Sequence, residues 1–132
     1  IKVLFPMHPR TKNLILKHKI NLSSNITISD PLPYLEFLDL IKSSKMVITD
    51  SGGIQEETTY LKVQCITVRD NTERPITHEE GTNHLVGTDK TNIIKTFQKI
   101  MKGQIKNGSI PDLWDGKSGK RIAKIIFNNF NK

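Results

Sequence analysis

The sequence predicts an α/β fold: a parallel sheet with flanking helices. Two observations point there. Short apolar runs alternate with amphipathic stretches along the whole chain, the pattern of βαβ units with right-handed crossovers. The apolar runs are aliphatic or β-branched on both faces, as strands covered on both sides by helices are.

Five runs read as strands: residues 2–7 (KVLFPM), 25–28 (NITI), 46–49 (MVIT), 64–68 (QCITV) and 84–86 (HLV). Residues 11–19 form a short basic helix, and residues 33–43 a second one, with Pro33 suited to a first turn. Residues 53–62 follow a glycine pair as a third helix. Over 90–102, Ile93, Ile94, Phe97, Ile100 and Met101 make one apolar stripe, with Asp89 as its cap and Gly103 as its stop. Over 117–130, Ile122, Ile126 and Phe130 share a face with Ala123 and Phe127. The stretch between these two helices, "GQIKNGSIPDLWDG", reads as a loop anchored by Trp114.

With 132 residues the chain fits one domain, 1–132, with a core of its own. It opens at Ile1 directly into a strand, which reads as a piece of a larger protein. No apolar run approaches the ~18 residues of a membrane span, so no membrane partner is expected. Cys65 stands alone in "VQCITV" and reads as a small buried hydrophobe in a reducing, cytoplasmic setting. The net charge of +7 is compatible with nucleic acid, a membrane surface or an anionic small ligand. Its lysines, however, are spread along amphipathic stretches without a dense basic block, so nucleic acid is not expected as a partner.

The stretch "VITDSGGIQEE" at 47–57 sits where a strand ends and a helix begins, at the carboxyl edge where open α/β sheets bind ligands. Unpaired amides and the helix dipole favour phosphate there. Gly52 and Gly53 let the main chain turn sharply and an anion come close, and the Ser51 hydroxyl adds a donor. Glu57, a turn further in, is placed to accept from sugar hydroxyls. The same glycine pair also fits a plain tight turn capped by Ser51 or Asp50. A second stretch, "TVRDNTERP" at 67–75, follows the next strand and carries Arg69 and Arg74. Guanidinium forks suit a diphosphate, and the loop's charges also suit mutual pairing. Phe37 either stacks on a base or packs in the core.

"TDSGGIQEE", "RDNTERP" and "EEGTNHLVGTD", in this order and spacing, resemble the C-terminal half of the non-hydrolysing UDP-N-acetylglucosamine 2-epimerases. The similarity runs from "FPMHPRT" to "GKSGKRIAKII". It implies a Rossmann-like domain, the second of a glycosyltransferase-B-type fold, lacking its first strand and the N-terminal catalytic domain. It further implies UDP binding by Ser51, Gly52 and Gly53 at the diphosphate, Glu57 at the ribose, Phe37 beside the uracil, and Arg74. Leu32 stands where the family has a uracil-side Gln, and Ile76 where TERPE is usual. "HPRT" at 8–11 departs from the His-Leu-Asn-Pro of some members and leaves the exact sugar open. The implied activity is isomerisation of UDP-GlcNAc and UDP-ManNAc by UDP elimination and re-addition, serving cell-surface polysaccharide synthesis. The full-length parent would be a homodimer and this piece alone inactive.

No catalytic residue of that reaction is expected in this stretch, since the acid and base come from the first domain. The histidines His8, His18, His78 and His84 show no metal-ligand spacing, and no cofactor or metal is expected. "DSGG" is not a nucleophile elbow. The alternatives are the donor domain of a glycosyltransferase, which shares the architecture, and a non-catalytic nucleotide-sugar-binding module.

Overall fold

The structure, a computed structural model, describes residues 1–130. The chain divides into two compact units, Ile1–Leu40 and the remainder from Ile41.

In the first unit β1 (Val3–Pro6) pairs in parallel with β2 (Ile26–Ser29), in register from Val3 against Ile26 to Pro6 against Ser29. Between them runs α1 (Pro9–Lys17). It starts two residues earlier than the sequence suggests because Pro9 occupies the first turn and His8 caps it. The imidazole Nδ1 of His8 accepts the Arg10 amide at 3.2 Å. The helix α2 (Tyr34–Ser43) follows. Pro33 lies just before it, its carbonyl accepting the Phe37 amide at 2.9 Å.

The second unit is built on a three-stranded parallel sheet in the order β3 (Met46–Thr49), β4 (Gln64–Thr67), β5 (Asn83–Leu85). The helix α3 (Gly52–Leu61) joins β3 to β4, and the short α4 (Pro75–Glu79) lies before β5. The expectation of strands buried on both faces holds only for β4, where all four residues are buried; Ile48 of β3 and Val3, Leu4, Phe5 and Ile28 of the first unit are exposed. Apolar character makes a strand, but burial of a face requires an element packed over it, and the central β4 packs against both α3 and the later helix Lys90–Met101.

Both expected boundaries of α5 (Lys90–Met101) are found. Asp89 Oδ1 accepts the Asn92 amide at 2.9 Å, and Gly103, at φ +82°, takes the left-handed turn after the helix. The loop after α5 is laid tightly on the turn before β5. Ser109 N–H donates to the Glu80 carbonyl at 2.8 Å. A Cβ on Gly108 would come within 2.5 Å of the Gly81 carbonyl carbon. Two main chains touch there, and glycine is the only residue that permits it. Gln64 clamps the same loop through both ends of its amide, donating to the Lys106 carbonyl and accepting the Lys106 amide, each at 3.0 Å. Trp114, further along, is half-buried. The final α6 (Ser118–Phe130) keeps its apolar stripe on the outside: Ile122, Ile126, Phe127 and Phe130 are all exposed.

Candidate functional site

β3 and β4 are adjacent, parallel and matched at their carboxyl ends, Thr49 opposite Thr67. The segments that follow, 50–51 and 68–74, therefore leave the same sheet edge side by side. This edge is where strand carboxyl ends and a helix amino end converge, the usual ligand position in such folds.

At the first segment, Ser51 stands as the N-cap of α3 with extended backbone, yet its hydroxyl makes no capping bond. The Ser51 amide donates instead to Thr49 Oγ1 at 3.1 Å, and its carbonyl accepts Gln55 Nε2 at 3.3 Å. Gly52 and Gly53 begin the helix, and a Cβ built on either meets nothing within 4 Å. Neither has positive φ. This corrects the expectation that glycine is needed there for a sharp turn: the backbone is one any residue adopts, and what the missing side chains leave is open space where each Cβ would stand. The plain turn capped by the Ser51 hydroxyl is not what is found, because that hydroxyl makes no capping bond.

At the second segment Arg74 takes an irregular conformation (φ −127°, ψ 57°) ahead of Pro75, the first residue of α4. Its Nε lies 2.9 Å from Glu56 Oε1 of α3, a charge contact rather than an aligned hydrogen bond. The ion pair of Arg74 thus crosses to the glycine helix, where the charges of "RDNTERP" suggested pairing with one another, while its Nη1 donates to the Glu73 carbonyl of its own loop at 3.2 Å. Ser51, Gly52, Gly53, Glu57 and Arg74 all lie in the second unit, on α3 or at the start of α4. Glu57 is half-buried on α3. Phe37 is half-buried on α2, within the first unit.

Behind this edge the core is polar. Gln55, Thr58, Thr67, Thr77 and Asn83 are fully buried and joined by hydrogen bonds, including Thr67 Oγ1 to Asn83 Oδ1 at 2.6 Å and Asn83 Nδ2 to Gln55 Oε1 at 3.1 Å. Thr67, a polar residue inside the strand run 64–68, was the available signal; buried polar groups are retained only with partners.

Titrating groups lie further along the unit. The His84 Nε2 is 3.0 Å from Gln64 Oε1. Burial, then the positive charge of Lys106, and then His78 and Lys99 lower its pKa from 6.5 to about 4. Burial raises the pKa of Cys65, as for an inert core thiol. Among the described residues no group of three or more His, Cys, Asp or Glu side chains is placed to hold a metal ion. No helix among them is long and apolar enough to cross a membrane.

The family profile described as UDP-N-acetylglucosamine 2-epimerase matches residues 1–127. The chain belongs to this family. A UDP-N-acetylglucosamine 2-epimerase of Methanocaldococcus jannaschii is 47% identical over 128 residues, which are 94% of this chain and 34% of that protein. A UDP-2,3-diacetamido-2,3-dideoxy-D-glucuronate 2-epimerase of Pseudomonas aeruginosa is 34% identical over 130 residues, 94% of this chain and 34% of the relative. Among solved structures, the M. jannaschii UDP-GlcNAc 2-epimerase in complex with UDP-GlcNAc and UDP superposes with TM-score 0.79 at 44% identity, covering 96% of this chain and 36% of that one. The Neisseria meningitidis UDP-GlcNAc 2-epimerase bound to UDP-GlcNAc gives TM-score 0.83 at 28% identity, over 97% of this chain and 36% of that one. The chain spans about a third of the length of these 2-epimerases.

Proposed function

We propose that this chain is the UDP-binding part of a UDP-N-acetylglucosamine 2-epimerase. The parent protein would interconvert UDP-GlcNAc and UDP-ManNAc. In this reading the α3 amides and Ser51 take the diphosphate, Arg74 adds a guanidinium, Glu57 accepts from the ribose, and Phe37 serves the uracil. The turn's chemical task is to stabilise charge on the departing UDP. A base takes the C2 proton as the C1–O bond to UDP breaks, giving the glycal; a proton is then delivered to the opposite face of C2 and UDP adds back at C1. The acid and base belong to the remaining two thirds of the parent, so the chain alone is inactive.

The observation that carries the reading is an uncapped helix start under open space, in a chain of this family. The parent's proposed setting is cytoplasmic, in cell-surface polysaccharide synthesis, as a homodimer, with no nucleic-acid partner.

The test is the full-length parent incubated with UDP-GlcNAc in D2O without an acceptor sugar. UDP-ManNAc carrying deuterium at C2 is expected. Inertness until an acceptor is supplied would make the parent a glycosyltransferase. UDP binding without deuterium exchange would make it a binding module. The relative that acts on a diacetamido glucuronate sugar adds one arm: turnover of that class alone would keep the chemistry and change the sugar.

A further inference from the structure

Arg74 is held by its main chain from both sides, and both arms end on one atom. On one side its amide donates to Thr72 Oγ1 at 3.0 Å, and that hydroxyl donates to Gln55 Oε1 at 2.6 Å. On the other its carbonyl accepts Thr77 Oγ1 at 2.7 Å, which accepts Asn83 Nδ2 at 3.1 Å. The second proton of that Asn83 amide goes to Gln55 Oε1, also at 3.1 Å. The two lone pairs of Gln55 Oε1 are thereby filled, and its Nε2 reaches back to the Ser51 carbonyl. Thr67 on β4 fixes the far end of Asn83.

We infer that Gln55, through Thr72, Thr77 and Asn83, is a positioning relay that sets the Arg74 loop at a fixed place relative to the Ser51–Gly53 turn, so that both bind the diphosphate as one rigid site. This rests on the function proposed above. A closed ring of hydrogen bonds anchored on the buried Gln55, Thr77 and Asn83 has one well-defined arrangement, because opening it there strands a buried polar group. An apolar core would hold α3 against β4 and β5 at lower risk. What it would not do is tie an irregular residue, Arg74, at both its N–H and its C=O to the helix that opens at Ser51. The relay acts through Arg74 and touches no ligand itself. Glu56 adds to it by holding the guanidinium from the same helix.

The experiment measures UDP affinity of the full-length parent by calorimetry. Thr72 is the arm to cut, being only half-buried. Thr72→Val keeps the shape, removes both hydrogen bonds, and should weaken UDP about tenfold. Thr72→Ser, which keeps the hydroxyl, should restore affinity to within about twofold of the parent. In an Arg74→Ala background Thr72→Val should cost almost nothing more, since its action passes through Arg74; a merely structural threonine would add its full penalty. Thr72→Ala replaces the valine variant should that fail to show the parent's cooperative unfolding. Unchanged affinity in Thr72→Val, or penalties that add in the double variant, would overturn the relay while leaving the UDP site in place. Absence of UDP binding by the unsubstituted parent would overturn the site and the relay together.

Discussion

Two helices of the second unit begin at comparable positions and are finished in opposite ways. At α5 the start is closed from outside: Asp89 folds its carboxylate over the first turn and takes the Asn92 amide. At α3 the start is held from inside, by Thr49 on the Ser51 amide and Gln55 on the Ser51 carbonyl, while the Ser51 hydroxyl caps nothing and the space over Gly52 and Gly53 is empty. A cap satisfies orphan amides and neutralises the helix dipole. A helix that forgoes it keeps those amides for something else. The contrast separates a helix start closed by its own side chain from one that is not, and under the proposed function the second is the one that takes the diphosphate.

The largest effect should come from the interior support of the α3 start. Gln55→Leu removes the acceptor of Thr72 and Asn83 and the donor to Ser51, and should cost roughly 3 kcal/mol of stability, read as a fall in denaturant midpoint. A loss below ~1 kcal/mol would mean that the interior bonds do not hold the α3 start.

An acid titration tests the unit away from either helix start. His84 takes a proton near pH 6.5 when unfolded and near 4 when folded, so the unfolded state binds more protons between these values. Stability is complete above that window and declines as pH falls through it. With the imidazole half-exposed, the loss should be about 1 kcal/mol, and His84→Asn should flatten this part of the pH profile. If the slope is unchanged in the variant, another group carries it.

The two starts then diverge under matched substitutions. Asp89→Ala should cost about 1 kcal/mol with no change in UDP affinity. Gly53→Ala should do the reverse, adding about 0.5 kcal/mol of stability at a helical position with room for the methyl, and weakening UDP by tenfold or more under the proposed function. A Gly53→Ala protein that binds UDP normally would show that the open space has no guest. The smallest effect on stability belongs to Ser51→Ala, within ~0.3 kcal/mol because no capping bond is lost, and its whole consequence should appear as severalfold weaker UDP binding. A stability loss as large as that of Asp89→Ala would erase the distinction between the two starts.

Much of this site was legible along the chain. The strand, the glycine pair and the helix are contiguous, so local chemistry alone places Ser51, Gly52 and Gly53 at a helix start on the carboxyl edge. The arginine loop was equally visible, as a charged stretch bounded by a strand and Pro75. Its partner was not, because Glu56 is 18 positions away in sequence and meets Arg74 only once α3 and the loop leave neighbouring strands. The glycines at 81 and 108 were invisible as contacts for the same reason.

What the sequence determined by itself is therefore whatever depends on near neighbours: the alternation of strand and helix, the cap at Asp89, the stop at Gly103, and a helix start at the glycine pair after β3. What the tertiary structure decided is which side chains spend their hydrogen bonds on one another. Ser51 left uncapped, Gln55 filled by Thr72 and Asn83, and Arg74 gripped at both peptide groups are outcomes of strand register, and register brings together residues that no local pattern relates.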